Sequence, residues 1–275
     1  MKDILKYYVS LFSNATQSLK KKAIFIEKPW ALIDDDGEIQ KLIFKKDGGL
    51  VLSKNGKVIE GKWEYFPEAK SLLVDRGHDK LLLNEQFIDE NVLILKKDGT
   101  DNDFFGLANE NTLRDYNIPK YLNNLKKVQL NMGEVVLLSG NKLQVQNARE
   151  LTNLEFIVGR KADIIDENFN PLPIKEGVFM SQDKKFTYYV ENGTIGNVFK
   201  NSFETSVDGI RFEVEGGFNK EKQYLIKRRI TLNGMPVEMD RIVTEDNVVY
   251  FLKESVIYNI VFLKTYLLSQ GYTVK

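Results

Sequence analysis

Apolar and polar positions alternate most regularly between residues 41 and 65, where three apolar runs are separated by Asp47-Gly48 and by Asn55-Gly56. Aspartate or asparagine followed by glycine supplies the backbone angles that a tight antiparallel turn requires. The stretch therefore predicts a β-meander of three strands.

The last strand of this meander has one apolar and one charged face. The apolar face carries Ile59, Gly61, Trp63 and Tyr65, and the charged face carries Glu60, Lys62 and Glu64. This alternation is typical of a sheet that is buried on one side and solvated on the other. We expect Trp63, the largest of these side chains, to nucleate the buried side.

The same pattern continues on both sides of the meander and predicts a β-barrel over residues 23–110. Turn dipeptides separate eight short runs, a spacing that is typical of antiparallel barrels and not of βαβ units. The predicted strands are Trp30–Ile33, Ile39–Lys45, Gly49–Ser53, Lys57–Tyr65, Ser71–Asp75, Lys80–Asn84, Val92–Lys96 and Asp103–Leu107. Eight strands in simple succession indicate an up-and-down barrel.

An eight-stranded barrel is just wide enough for side chains to fill it, so we expect a packed interior without a cavity above about 300 Å³. The residues expected to point inwards are Trp30, Phe44, Leu52, Ile59, Trp63, Leu72, Val74, Ile94 and Phe104.

Four short motifs in this region resemble the small bacterial lipocalin-like domains of the calycin type. They are FxxDG at Phe44–Gly48, GxW at Gly61–Trp63, LLVD at Leu72–Asp75 and LILKKDG at Leu93–Gly99. The resemblance covers roughly residues 28 to 110 and implies a lipocalin-like barrel, with the carriage of a small apolar ligand as the function that such a barrel suggests. The GxW motif falls on the fourth predicted strand.

Residues 1–22 predict an amphipathic, basic helix. Its apolar residues at helical spacing are Ile4, Tyr8, Leu11, Phe12, Ala15 and Leu19, and its lysines are Lys2, Lys6 and Lys20–Lys22. The helix either packs on its own β domain or makes peripheral contact with a partner or a membrane surface. Neither this segment nor any later run has the length of a membrane span.

The pattern changes at residues 111–127, which we interpret as a linker with a short helix opened by Pro119. Residues 128–275 predict a second antiparallel β domain with an internal repeat. Phe169–Pro173 is echoed by Leu232–Pro236, and Tyr188–Val198 by Tyr250–Ile260, at a spacing of about 62 to 63 residues. We interpret the repeat as two related meanders.

The segment 254–269 allows either a strand or a helix, because it is apolar almost all round and periodicity does not separate the two. Its β-branched and aromatic residues favour strands.

Composition excludes several classes of site. The 275 residues contain no cysteine and one histidine, His78, so no thiolate nucleophile and no zinc site of cysteines and histidines is expected. The absence of cysteine suits a reducing compartment, and we expect a cytoplasmic protein. The 39 basic and 39 acidic residues leave no net charge to attract nucleic acid.

Candidate polar sites have ordinary structural interpretations. The carboxylates of Asp34–Glu38 and Asp98–Asp103 are dense enough to attract calcium, but neither stretch has the spacing of a calcium loop, and both fit hairpin turns. His78 lies beside Asp79 with no nucleophile signalled nearby, which favours a solvated turn.

Two further groups of residues are candidate binding surfaces. Lys227–Arg229 with Lys222 offers a phosphate contact, although the alternation with apolar residues favours a solvated sheet face. The aromatic residues Tyr188, Tyr189, Tyr250, Phe251 and Tyr258 form either a stacking platform or cross-strand core pairs.

No nucleotide, nucleophile-elbow or metalloprotease motif occurs, so we assign no catalytic, cofactor-binding or metal-binding residue. The leading hypothesis is a non-catalytic interaction or scaffold protein with a protein partner. The alternatives are a carrier of a small apolar ligand in the first barrel and a hydrolase that uses scattered carboxylates. An exposed apolar patch would favour the scaffold, a roomy barrel the carrier, and a pocket of carboxylates with raised pKa the hydrolase.

Overall fold

The computed structural model describes residues 1–12, 24–33, 38–149, 151, 154–174, 176–215 and 227–273. The chain divides into two compact units. The first comprises Met1–Gln129 with Asn168–Pro171, and the second comprises Leu130–Glu167 with Leu172–Lys275. Both units consist mainly of antiparallel β-strands, as the sequence predicted.

The first unit contains the predicted eight-stranded barrel. Its strands are β1 (Pro29–Ile33), β2 (Ile39–Phe44), β3 (Gly49–Lys54), β4 (Lys57–Phe66), β5 (Ser71–Asp75), β6 (Lys80–Ile88), β7 (Val92–Lys97) and β8 (Phe104–Asn109). Each strand pairs with the next, and β1 pairs with β8 to close the barrel. The β3–β4 turn has positive φ at both Asn55 and Gly56, as the Asn-Gly pair predicted.

The barrel interior is apolar and closed at one end by aromatic rings. Phe25 packs edge to face against Phe44, Trp63 and Tyr65, with ring centroids 5.5, 5.3 and 5.8 Å away. The Trp63 indole N–H donates to the carbonyl oxygen of Lys45 at 2.9 Å. Trp63 is 6% exposed, so the inward position expected for it is confirmed.

The inward position expected for Ile59 is wrong, because this side chain is 44% exposed. Strand β4 pairs with β3 from Lys57 to Lys62 but with β5 only from Lys62 onwards. The first half of β4 therefore forms a two-stranded extension in which Ile59 has no second neighbour to bury it.

The expectation for Ile94 and Phe104 is also wrong, because both face the outside of the barrel. Their neighbours in the strands, Leu93, Leu95 and Leu107, belong to the interior cluster. Ile94 and Phe104 instead belong to a second cluster that two helices complete. Successive side chains of a strand point to opposite faces, and no local pattern shows which of the two faces the helices cover.

The N-terminal helix α1 (Lys2–Phe12) packs on its own barrel. Leu5, Tyr8 and Phe12 are buried in the cluster outside β7 and β8, and Lys2 pairs with Asp103 at 3.0 Å. Residues 13–22 of the predicted helix lie outside the described residues. Of the described helices, none combines the length and apolar composition needed to cross a bilayer.

The next helix of the described residues, α2 (Ile118–Gln129), corresponds to the short helix expected at Pro119 and belongs to the first unit. The Asn117 side chain accepts a hydrogen bond from the backbone N–H of Lys120 at 2.9 Å, the geometry of an N-cap. Ile118 and Leu122 of α2 join α1 on the outer face of the barrel.

The remaining described strands and helices lie in the second unit, except that β12 begins at Pro171 of the first unit. They are β9 (Gly133–Val136), β10 (Lys142–Val145), α3 (Leu154–Ile157), β11 (Ala162–Ile165), β12 (Pro171–Leu172), β13 (Glu176–Met180), β14 (Phe186–Glu191), β15 (Thr194–Lys200), β16 (Ser202–Thr205), β17 (Arg211–Val214), β18 (Ile230–Leu232), β19 (Met235–Pro236), β20 (Arg241–Val243), β21 (Val248–Lys253), β22 (Val256–Phe262) and α4 (Leu263–Ser269). The segment 254–269 is thus a strand followed by a helix, so both interpretations hold in part.

Strand pairing in the second unit recurs at a nearly constant spacing. Strands β13, β14 and β15 form one three-stranded sheet, and β20, β21 and β22 form another. Tyr188 pairs with Val198 as Tyr250 pairs with Ile260, about 62 residues later. The register shifts after Tyr189 in the first sheet and after Phe251 in the second, again about 62 residues apart.

The strands before each of these sheets also correspond. Strands β9, β10 and β11 pair in succession, as do β16, β17 and β18. An isolated bridge joins Leu137 to Ser181 beside the first three-stranded sheet, and a corresponding bridge joins Ser206 to Thr244 beside the second. Two apolar cores result, one containing Tyr188 and the other containing Tyr250.

Candidate functional site

His78 lies in the turn between β5 and β6, where its side chain is 67% exposed. Its Nε2 is 3.4 Å from Asp79 Oδ1, and the Arg76 guanidinium donates to both carboxylate oxygens of Asp79. The Arg76 contact, a side-chain hydrogen bond, lowers the pKa of Asp79. The solvated turn that the sequence predicted for His78 is confirmed.

The acidic stretch Asp98–Asp103 forms the turn between β7 and β8. Asp98 accepts a hydrogen bond from the Asn84 amide at 2.8 Å, and Asp103 pairs with Lys2. Residues 34–37 of the other acidic stretch lie outside the described residues. In the described part of the chain, no three His, Asp or Glu side chains lie close enough together to hold a metal ion.

The barrel contains an apolar cavity of about 60 Å³. Aliphatic side chains and the rings of Phe44 and Phe105 line it, with Gln40 and Arg76 as its polar lining residues. Ligand sites usually enclose about 300 Å³ or more, so this space is too small for a carried molecule. The cavity volume is also below the limit of about 300 Å³ that we expected for the barrel interior.

An open groove of about 580 Å³ runs over β4 and β5 and contains the carboxylates of Asp47, Glu64 and Asp75. The backbone N–H of Gly77 donates to Asp75, which lowers the pKa of that carboxyl, and Lys80 lowers it further. A general acid needs a raised pKa, so Asp75 does not have the property that a glycosidase requires.

A second groove, of about 330 Å³, lies in the second unit and contains Glu134, Ser181 and Asp183. Burial alone would raise the pKa of Asp183, but hydrogen bonds from Ser181 and from the backbone N–H of Lys185 hold it below its ordinary value. Asp183, like Asp75, is therefore not poised to donate a proton.

The basic stretch Lys227–Arg229 lies near a buried carboxylate. The Tyr189 hydroxyl donates to Glu215, and burial raises the pKa of this carboxyl although Arg229 and Arg228 oppose the shift. The Arg228 guanidinium lies 4.7 Å from the centre of the Phe199 ring. These arginines are thus engaged within the unit, and Lys222 lies outside the described residues.

The aromatic residues singled out in the sequence divide between the core and the surface. Tyr188 and Tyr250 are buried in the two cores. Phe251 and Tyr258 lie on the outer face of the last sheet, with ring centroids 6.2 Å apart, and the α4 residue Tyr266 adds a third ring 5.5 Å from Phe251. We call Phe251, Tyr258, Tyr266 and Arg241 the aromatic platform.

Arg241 orients the third ring of the aromatic platform. One guanidinium nitrogen donates to the Tyr266 hydroxyl at 2.7 Å, and the guanidinium carbon lies 5.8 Å from the centre of that ring. Tyr258 is 56% exposed, and Phe262, the last residue of the same strand, is 71% exposed. Sequence reasoning missed Tyr266 and Arg241, because they lie 8 residues after and 17 residues before Tyr258 and only the fold joins them.

The residue types of the aromatic platform are those of a binding surface. Tyrosine, phenylalanine and arginine are enriched where proteins bind one another, because they bury much area at a small cost in entropy. Comparison with known proteins adds no family, since no family model, curated protein or solved structure matches this chain.

Proposed function

We propose that the protein is a non-catalytic interaction protein, which binds a protein partner through the aromatic platform. The observation that carries this proposal is a set of three contacting rings, partly exposed on one sheet face, with an arginine at its edge. The partner that fits is a segment with an apolar side chain beside a carboxylate. The apolar group covers Tyr258 and Phe251, and the carboxylate pairs with Arg241.

The energetics favour such a contact. Tyr258 and Phe251 need no large rearrangement to bind, because the ring contacts already restrict their rotamers. The guanidinium has five N–H donors in a planar fork, of which one is directed at Tyr266, so it also has donors for a carboxylate. A partner that covers the aromatic platform therefore gains both the burial of the rings and the ion pair with Arg241.

The two alternatives have less support. A carrier needs an interior several times larger than the cavity of about 60 Å³ in the barrel. A hydrolase needs a carboxyl with a raised pKa in an open pocket, whereas Asp75 and Asp183 in the two grooves have lowered values.

We further infer that the barrel is of the lipocalin-like, calycin type. Eight strands in up-and-down order and the Gly61–Trp63 motif at its aromatic end support this inference. For the site of action we propose the cytoplasm, on the ground that a cysteine-free chain suits a reducing compartment.

We also infer that the second unit contains two copies of one β unit. We call residues 133–200 the first repeat and residues 202–262 the second repeat. The recurring strand pairs, the recurring register shift and two cores of similar composition support the duplication. Repeated units of this kind share one architecture and pack on their neighbours.

Site-specific photo-cross-linking tests the proposed function. A benzophenone amino acid replaces Tyr258 in the full chain within its native cell, and Val58, 63% exposed on the barrel, is the matched control position. We expect one discrete cross-linked protein from position 258 and none from position 58. Arg241→Glu should lower the yield at position 258 about fivefold or more, the effect of losing a contact worth over 1 kcal/mol.

Two outcomes would overturn the proposal. One is the same set of adducts from positions 258 and 58, and the other is a discrete adduct at 258 whose yield does not change with Arg241→Glu. Circular dichroism of each variant shows that the loss of an adduct does not come from unfolding.

A further inference from the structure

The outer face of the first repeat is covered by the second repeat. Tyr189 on this face donates its hydroxyl to Glu215, and Phe199 lies under the Arg228 guanidinium at 4.7 Å. A third contact joins Lys184 to Glu213, whose side chain is only 2% exposed, at 3.1 Å. The second repeat thus places carboxylates and an arginine on the aromatic face of the first.

The equivalent face of the second repeat is covered by α4. Phe251 corresponds to Tyr189, since each precedes the register shift, and Val261 corresponds to Phe199. Tyr266 of α4 packs edge to face on Phe251, and α4 contacts both β21 and β22.

The two faces are covered differently because the chain takes a different course after each three-stranded sheet. The backbone N–H of Asn201 donates to Lys185 at 2.7 Å, and the backbone N–H of Leu263 donates to Asn247 at the same distance. These donors lie about 62 residues apart. After Asn201 the chain continues into strand β16 of the second repeat, whereas from Leu263 it turns into α4.

The first repeat also carries a surface that is suited to contact the face beneath α4. Arg160 corresponds to Arg228, because Ile195 N–H donates to the Arg160 carbonyl as Ile257 N–H donates to that of Arg228. The Arg160 guanidinium lies 4.8 Å from the centre of the Phe156 ring, and Phe156 is 52% exposed. We call Phe156, Val158 and Arg160 the leading face of the first repeat.

We propose that the face of the second repeat beneath α4 is an interaction surface for a further repeat of the same kind, and that α4 is the cap that occupies it. Without the cap, the leading face of a second copy of this chain docks there, with Arg160 in the position that Arg228 has on the first repeat. Such a contact is head to tail, and contacts of this type build open chains of copies unless the end is closed.

This inference rests on the two repeats inferred above, and it goes beyond the proposed binding function because it requires no partner at Tyr258. A bound partner at Tyr258 and a closed cap are compatible. The two proposals therefore fail separately.

The test removes the contact that holds the cap. Tyr266→Ser deletes the ring on Phe251 and the acceptor for Arg241, while Tyr272→Ser, at a site 63% exposed just after α4, is the matched control. Sedimentation velocity over a wide range of protein concentration measures the mass of each full-length variant. We expect mass that grows with concentration for Tyr266→Ser and a monomer for the control and the wild type.

A second substitution shows whether the association uses the leading face. Tyr266→Ser combined with Arg160→Glu should return to the monomer, because a carboxylate replaces the arginine that docks. A monomeric Tyr266→Ser variant with a native circular dichroism spectrum overturns the proposal. The proposal is also overturned if the double variant associates as strongly as Tyr266→Ser, because the association then comes from unspecific contacts between exposed apolar surfaces.

Disulfide trapping keeps the proposal testable if Tyr266→Ser does not fold. The chain has no cysteine, so Phe251→Cys and Val158→Cys each carry a single thiol, and Phe251→Cys also removes the ring on which the cap rests. With dissolved oxygen as the oxidant that takes up the two electrons and two protons of the thiols, a mixture of the two variants should give a disulfide-linked pair, and neither variant alone should give one. No link in the mixture, or an equal link in either variant alone, contradicts a head-to-tail contact.

Discussion

Replacing Trp63 by alanine tests whether the aromatic end holds the barrel together. The side chain is 6% exposed, packs edge to face on Phe25 and Phe44 at 5.3 and 5.6 Å, and donates its indole N–H to Lys45. Alanine removes all of these contacts and leaves a cavity in a closed barrel, where the strands cannot move in to fill it.

The structure sets the expected magnitude. Removing a buried tryptophan costs about 3 to 5 kcal/mol, and each edge-to-face ring pair contributes about 0.5 to 1.5 kcal/mol. The Lys45 carbonyl still accepts a hydrogen bond from the Gly48 backbone N–H at 3.1 Å, so it adds no penalty of an orphaned acceptor. We therefore expect Trp63→Ala to lower the free energy of unfolding by about 4 to 5 kcal/mol.

Trp63→Phe is the matched control, since it keeps a ring beside Phe25 and loses the N–H donor and some volume. We expect it to cost about 1 to 2 kcal/mol. Urea denaturation followed by fluorescence measures both variants, because the remaining tryptophan, Trp30, is fully buried in the same barrel and reports its unfolding. A cost below about 1.5 kcal/mol for Trp63→Ala, or equal costs for both variants, would refute this account of the core.

Three further predictions follow from single sites. His78→Ala should change the free energy of unfolding by less than about 0.5 kcal/mol, and a folded variant that has lost cellular activity would contradict a non-catalytic protein. Gly61→Ala should cost about 1 to 3 kcal/mol in urea denaturation, because a Cβ would lie 2.3 Å from the Asp75 carbonyl oxygen, and a neutral result would contradict this close approach. Glu215 has a raised pKa in the folded state, so its stabilising contribution is complete below its unfolded pKa and is lost as pH rises through the folded value. Glu215→Gln cannot ionise, and thermal unfolding should show its stability relative to the wild type improving from acidic to mildly alkaline pH; an unchanged difference would contradict the shift.

The sequence by itself predicted the barrel strand by strand, because alternation and turn dipeptides are local signals. Asn55-Gly56 predicted a turn that does have positive φ at both residues, and Trp63 was assigned to the interior from its place in one strand. The solvated turn at His78 followed in the same way. Each of these features depends on neighbours within a few residues.

The tertiary structure decided which surfaces meet. Ile94 and Phe104 were placed on the wrong side because nothing near them in the chain shows that α1 and α2 cover the outside of β7 and β8. Likewise, Phe251 and Tyr258 were recognised as a candidate stacking surface, but Tyr266 and Arg241 join them only through the turn of the chain into α4. Local patterns determine the strands, whereas the contacts between elements depend on long-range packing that no single stretch of sequence records.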